Sequence, residues 1–214
     1  MQKSIIKQQF TYRYYNAAFI IIGINILVFF INTIFPSSRG YFALNPVLVL
    51  KHGFVWQLVT YMFSHAGISH ILFNMLGLFF FGVQIERRMG SSEFLLFYLL
   101  TGVLAGGFSL AVYWFTGNYQ VWLLGASGAV FAVLLAFATF FPDARIFVFG
   151  IIPMKAPILV TVYAAIELFS QVTSANSGVA HLTHLAGFGF AFLYFVTRLD
   201  VNPVKVFLGK DRYY

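Results

Sequence analysis

From Phe94 to Pro142 the chain carries no Asp, Glu, Lys or Arg. A stretch of that length suits the hydrocarbon of a bilayer, which a helix crosses in about 20 predominantly apolar residues. The rest of the sequence agrees. Of its 214 residues 60% are hydrophobic and 9% charged, where a soluble domain carries roughly 25% charge. Six apolar runs read as spans, over residues 16–36, 69–85, 94–115, 126–142, 156–173 and 179–197. They predict an all-α polytopic membrane protein, a six-transmembrane-helix bundle forming a single domain over residues 1–214. No polar stretch is long enough for a linker or a second domain. The first run is too long for a signal-peptide core and no small-residue cleavage site follows it, so it too reads as a span.

Thirteen Lys and Arg residues set the expected orientation. With the N-terminus inside, Lys3, Lys7, Arg13, Arg87, Arg88, Arg145, Lys155, Arg198, Lys205, Lys210 and Arg212 all fall on the inner side, and only Arg39 and Lys51 fall outside. Basic residues accumulate in cytoplasmic loops, so both termini are expected in the cytoplasm. The net charge of +7 is then a topological signal and gives no reason to expect nucleic acid as a partner. The chain has no cysteine, which removes disulfides and thiolate chemistry. Residues 37–69, the longest outer segment, mix aromatic and aliphatic residues with Gly and Pro and are expected in the interfacial zone.

Polar groups inside spans are costly and mark function. His70 and Asn74, in "SHILFNML", open the second run one helical turn apart and so share a face. Ser127, in "LLGASGAVFA", opens the fourth, and His181 and His184, in "AHLTHLAG", open the sixth. Three separate spans thus bring polar side chains to one depth, the outer third of the membrane. The fourth run is only about 25 Å long as a helix. With its inner end pinned by Pro142 and Asp143, Ser127 lies below the surface. The preceding loop must dip after it, which is tolerated where protein or a wet cavity shields the backbone.

A recessed serine at a helix start, facing a histidine, suits nucleophilic catalysis. The imidazole takes the hydroxyl proton, backbone N–H groups and Asn or His side chains receive the developing oxyanion, and the helix dipole favours the same negative charge. Small neighbours, Gly125 and Gly128 among them, leave room for a substrate backbone and for a second helix. Gly128, Ala132 and Ala136 form one small-residue face, and Gly187 and Ala191 continue another below His184. Phe131, four residues after Ser127, is placed to pack on the His184 ring.

"GASG", "HILFN" and "HLTHLAG", in this order and at this depth, resemble the rhomboid family of intramembrane serine proteases over nearly the whole chain. The resemblance implies a dyad without a carboxylate, Ser127 as nucleophile and His184 as base. It implies His70 and Asn74 as oxyanion partners, helped by the Ser127 backbone N–H, and Gly187 as the glycine that lets the sixth span meet the fourth. The expected reaction is cleavage of transmembrane protein substrates near the outer face of the lipid bilayer, with no cofactor and no metal. Glu86, in "GVQIERRMG", matches a family glutamate at the cytoplasmic end of the second span and reads as a cap or an ion-pair partner near Arg87 and Arg88. The sequence departs from the family pattern in Ala191 for a second glycine, Gln57 for an arginine after Trp56, and Phe131 for a frequent tyrosine. Its six runs resemble the minimal six-helix form, for which a bacterial cytoplasmic membrane is the best-fitting location.

His65 and His181 read as structural, although His181 shares a face with His184. Glu167, near the outer end of the fifth run, has no basic residue at its depth; it reads as a protonated packing residue or as a group facing the wet cavity. A metalloprotease would want H-E-x-x-H, which is absent. A transporter would want polar residues across the whole thickness, yet the inner halves of the spans are apolar. A catalytically inactive relative that only binds transmembrane helices is the remaining rival, and the presence of both Ser127 and His184 counts against it. A stable helix hides its carbonyls in i→i−4 hydrogen bonds, so the substrate must unwind at the cut, and helix-breaking or small residues are expected there.

Overall fold

In lipid a backbone must satisfy its own N–H and C=O groups, so the apolar runs coil as helices. The computed structural model describes residues 5–148, 150–173 and 178–211. Its principal helices are α1 (Ala17–Ile34), α2 (Ile68–Met89), α3 (Ser91–Phe115), α4 (Ser127–Phe140), α5 (Ala156–Thr173) and α6 (Gly178–Tyr194), the last prolonged by a π turn over Phe195–Leu199. All but α4 are long and apolar enough to cross a bilayer. The molecule is therefore an all-α polytopic membrane protein, with one addition. A short antiparallel hairpin, β1 (Arg145–Val148) and β2 (Ile152–Lys155), joins α4 to α5, with Arg145 opposite Lys155 and Val148 opposite Ile152.

α4 has 14 residues, about 21 Å of helix, and is shorter than its apolar run. It stops at Phe140 because Phe141 precedes Pro142 and is held out of the helical region, at φ −127° and ψ 60°. It lies at the centre of the bundle, against α2, α3, α5 and α6. α5 is peripheral, with only 22% of its length buried. α3 begins before its apolar run, at Ser91, and carries Glu93 into the interior. That charge is compensated: Glu93 accepts from Tyr194 Oη, from Phe10 N–H at 3.2 Å and from Arg198 Nε at 2.5 Å.

Glu86 is fully buried and fills the capping role. Its carboxylate accepts the Ala17 and Ala18 N–H groups at 2.6 and 2.9 Å, closing the start of α1 from a different helix, and also accepts from Ser91 Oγ. Nearby, Lys7 pairs with Asp200 at 3.0 Å and Arg198 Nη1 donates to the Ile6 carbonyl at 3.0 Å. The N-terminal segment and the end of α6 thus meet at one end of the bundle. The starts of α2, α4 and α6 lie at the other.

The long segment before α2 is more than an interfacial coil, because its inner side is wedged into the helices. Tyr61 Oη donates to the Gly102 carbonyl at 2.6 Å, and the Tyr61 ring sits 2.5 Å from where a Cβ on Gly106 would be. Asn45 caps the short helix Pro46–His52 by accepting the Val47 and Leu48 N–H groups, and it donates to the carbonyls of Tyr119 and Val121. Leu44 and Leu123 exchange backbone hydrogen bonds at 2.8 and 2.9 Å. Gln57, where the family pattern has arginine, is fully buried, accepts from Asn45 N–H and donates to the Gly40 carbonyl. These bonds tie the segment to the loop entering α4, so the non-helical backbone beside Ser127 is held by protein.

Candidate active site

Gly125 sets the entry to α4. Its φ of +118° lies where only glycine sits comfortably, and a Cβ would fall 2.6 Å from His70 Cε1 and Nε2. Its N–H donates to the Tyr61 carbonyl at 2.9 Å. Ser127 is then the first residue of α4, in the turn whose N–H groups have no i−4 carbonyl to reach.

His184 Nε2 lies 2.7 Å from Ser127 Oγ. The imidazole is stacked on Phe131 with ring centroids 4.2 Å apart and planes 7° from parallel. What brings α6 this close is Gly187: a Cβ there would sit 2.1 Å from the Gly128 carbonyl oxygen, so the two backbones touch. Gly128 in turn leaves room for Thr183 Cγ2 and Ala105 Cβ. Ala132, Ala136 and Ala191 are all fully buried in the same small-residue faces.

α2 brings His70 and Asn74 to the opposite wall. The Ala66 N–H approaches His70 Nδ1 at 3.4 Å, which assigns the ring proton to Nε2 and makes that nitrogen a donor. Asn74 Nδ2 donates to the His70 carbonyl at 2.8 Å, leaving a second amide hydrogen. His70, Asn74, Ser127 and His184 line one cavity of about 470 Å³, with Phe73, Val130 and Phe131 among its apolar walls. Every residue expected at the site is thus within one pocket or packed directly behind it.

His65, in the loop before α2, is fully buried, and its Nε2 accepts the Ala126 N–H at 3.4 Å. Burial, then the neighbouring His70, pushes its pKa down to about 4. A neutral ring that holds the loop to the start of α4 fits its structural reading.

Glu167, for which the sequence offered no basic partner at its depth, has two histidines beside it. Its Oε2 is 2.5 Å from His181 Nδ1 and its Oε1 is 3.1 Å from His184 Nδ1. The second contact is short but not aligned as a straight hydrogen bond. His181, which read as structural, is the group that grips this carboxylate. The signal available in the sequence was the i, i+3 pair of histidines together with a glutamate in the outer half of the fifth run; which way α5 turns is what the sequence left open. The three donors lie within 4.8 Å of one another, close enough to consider a divalent cation. Two ligands of a tetrahedral zinc sit about 3.3 Å apart, whereas the 2.5 Å contact between Glu167 and His181 is a hydrogen bond.

A helical membrane protein with a serine and a histidine from two helices lining one cavity, and donors from a third helix on its wall, defines the class. The particular family follows from comparison. The family model described as the Rhomboid domain matches residues 52–200, and the chain belongs to the rhomboid family. It is 32% identical over 151 residues to the mitochondrial RHOMBOID-like protein 12 of Arabidopsis thaliana, a match covering 64% of this chain and 44% of the relative. It is 33% identical over 142 residues to the putative rhomboid protease YdcA of Bacillus subtilis, covering 65% of this chain and 67% of that protein. With the rhomboid protease GluP of the same bacterium it shares 34% identity over 121 residues, 54% of this chain and 23% of GluP. The chain spans less than half the length of two of its Arabidopsis relatives, 44% of RHOMBOID-like protein 12 and 34% of RHOMBOID-like protein 4.

Proposed function

We propose that this protein is an intramembrane serine endopeptidase that cuts transmembrane segments of other membrane proteins. The observation that carries the reading is the 2.7 Å contact between Ser127 Oγ and His184 Nε2 inside the cavity that also holds His70 and Asn74. In the acylation step Ser127 Oγ attacks the scissile carbonyl carbon while its proton passes to His184 Nε2. Negative charge gathers on the carbonyl oxygen, within reach of the Ser127 N–H, the Nε2–H of His70 and the second amide hydrogen of Asn74. As the C–N bond breaks, His184 returns the proton to the leaving amine. Water, activated by the same imidazole, then hydrolyses the acyl-serine.

The charge distribution supports six crossings with both termini in the cytoplasm and the cavity opening outward. α4, at 14 residues, then reaches only part of the way across, which keeps Ser127 recessed. The substrate enters as a locally unwound segment. A cell membrane is the location this reading favours.

Purified full-length protein in detergent should be labelled by a fluorophosphonate probe at Ser127 and should cleave a transmembrane reporter. Ser127→Ala and His184→Ala should each abolish both, and the double variant should be no worse than either alone, because the pair acts as one unit. A Ser127→Ala protein that still cuts overturns the assignment. A folded protein that binds the reporter but is neither labelled nor active is the inactive relative instead.

A further inference from the structure

His184 has two ring nitrogens, and the reaction above uses one. For Nε2 to accept the serine proton, the ring's own proton must sit on Nδ1, and an imidazolium must then be tolerated in a largely apolar surrounding. Nδ1 of His184 is buried, and among the described residues the acid group that reaches it is Glu167, with Oε1 at 3.1 Å. The other oxygen of that carboxylate is 2.5 Å from His181 Nδ1, so the carboxylate is held from a second side. Glu167 is itself buried, although it comes from α5, the most peripheral helix. Phe131, stacked face to face on the His184 ring, fixes the plane in which Nδ1 points.

Resting on the protease reading, we infer that Glu167 is a positioning residue for His184, clamped by His181, so that the site works as a Ser127–His184–Glu167 triad instead of a bare serine–histidine dyad. The carboxylate holds the Nδ1–H tautomer, leaving the Nε2 lone pair aimed at Ser127 Oγ, and it stabilises the imidazolium while the serine proton is on Nε2. Glu167 stays ionised throughout and takes no proton. The proton balance is that of the two-residue mechanism: serine to Nε2, Nε2 to the leaving amine, and the same path in reverse for water.

The test compares Glu167→Gln, Glu167→Asp and His181→Ala with the unaltered chain in detergent, by reporter cleavage and by the rate of fluorophosphonate labelling. Glu167→Gln keeps shape and removes charge. It should lower kcat and labelling rate by about 100-fold, the scale of a misplaced catalytic group, with KM within about twofold. Glu167→Asp should recover part of the loss, and His181→Ala should lose less than Glu167→Gln because it only frees the clamp. The Nδ1–H proton resonance of His184, in ¹⁵N-histidine protein, should lie downfield and move upfield in Glu167→Gln. Unchanged kcat in Glu167→Gln, while Ser127→Ala is inactive, overturns the inference and leaves the protease reading intact. An Nδ1–H resonance that does not move in Glu167→Gln also overturns it, by showing that the carboxylate does not act on the His184 ring. An unaltered protein that neither labels nor cleaves removes the protease reading and this inference with it.

Discussion

Asn74 uses one amide hydrogen on the His70 carbonyl one turn back and keeps the other for the cavity. A group held by its own helix in this way loses little freedom when a charge forms in front of it, which is what a preorganised oxyanion donor requires. Asn74→Ala should lower kcat by about 10- to 1000-fold, the range for loss of one such donor, with KM nearly unchanged in steady-state cleavage of a reporter. A rise in KM at constant kcat would instead mark Asn74 as a fastener of the outer loop. His70 has a second dependence that its own helix does not supply. Its Nε2 lies where a Cβ on Gly125 would be, so the glycine two residues before the serine makes room for the donor and the left-handed turn at once.

Between elements, the separation of α4 and α6 sets the Ser127–His184 distance. Gly187 faces the backbone of α4, 2.1 Å from the Gly128 oxygen measured to an added Cβ. Gly187→Val must therefore push the helices apart by on the order of 1 Å, enough to cost about 100-fold in rate. Reporter cleavage should fall by at least that factor while the protein still purifies as a folded monodisperse species. The obstacle is a main-chain carbonyl, so trimming a neighbouring side chain such as Ala132 should not restore activity. Near-normal cleavage by the Val variant would show that the helices do not meet at this residue in the working enzyme. The family's second glycine is Ala191 here, and its burial shows that α6 accommodates a methyl one turn below the contact.

At the scale of the whole molecule, the proposed orientation rests on the charges, whose positive-inside bias favours a cavity facing away from the cytoplasm. Because the chain has no cysteine, Ser127→Cys gives a clean probe: a small impermeant thiol reagent should label it from outside in intact cells. Lys155→Cys, beside the hairpin between α4 and α5, should be labelled only after permeabilisation. Labelling at Ser127→Cys should be slower than at Asn118→Cys, an exposed loop position, and slower again with a transmembrane substrate peptide bound. Labelling of Ser127→Cys from the cytoplasmic side alone would reverse the topology and the face at which the protein cuts.

The positions of the apolar helices, the shortness of the fourth, and the placing of His70, Asn74, Ser127 and His184 at helix starts were legible in the sequence. Each depends on local composition and the 1.5 Å rise of a helix, and neither needs a neighbour to be defined. The expected partnership of Phe131 with the His184 ring was legible too, since residues four apart share a helix face. What only the tertiary structure decided are the relations between helices distant in sequence: the cap that Glu86 lends to α1, the burial of Gln57 between two loops, and the contact of Glu167 with His181 and His184. Periodicity says which residues share a face of α5 but not toward which neighbour that face is turned. The rotation of a helix about its axis is fixed by side-chain packing, and for Glu167 that rotation separates a lipid-facing acid from a partner of the histidine beside Ser127.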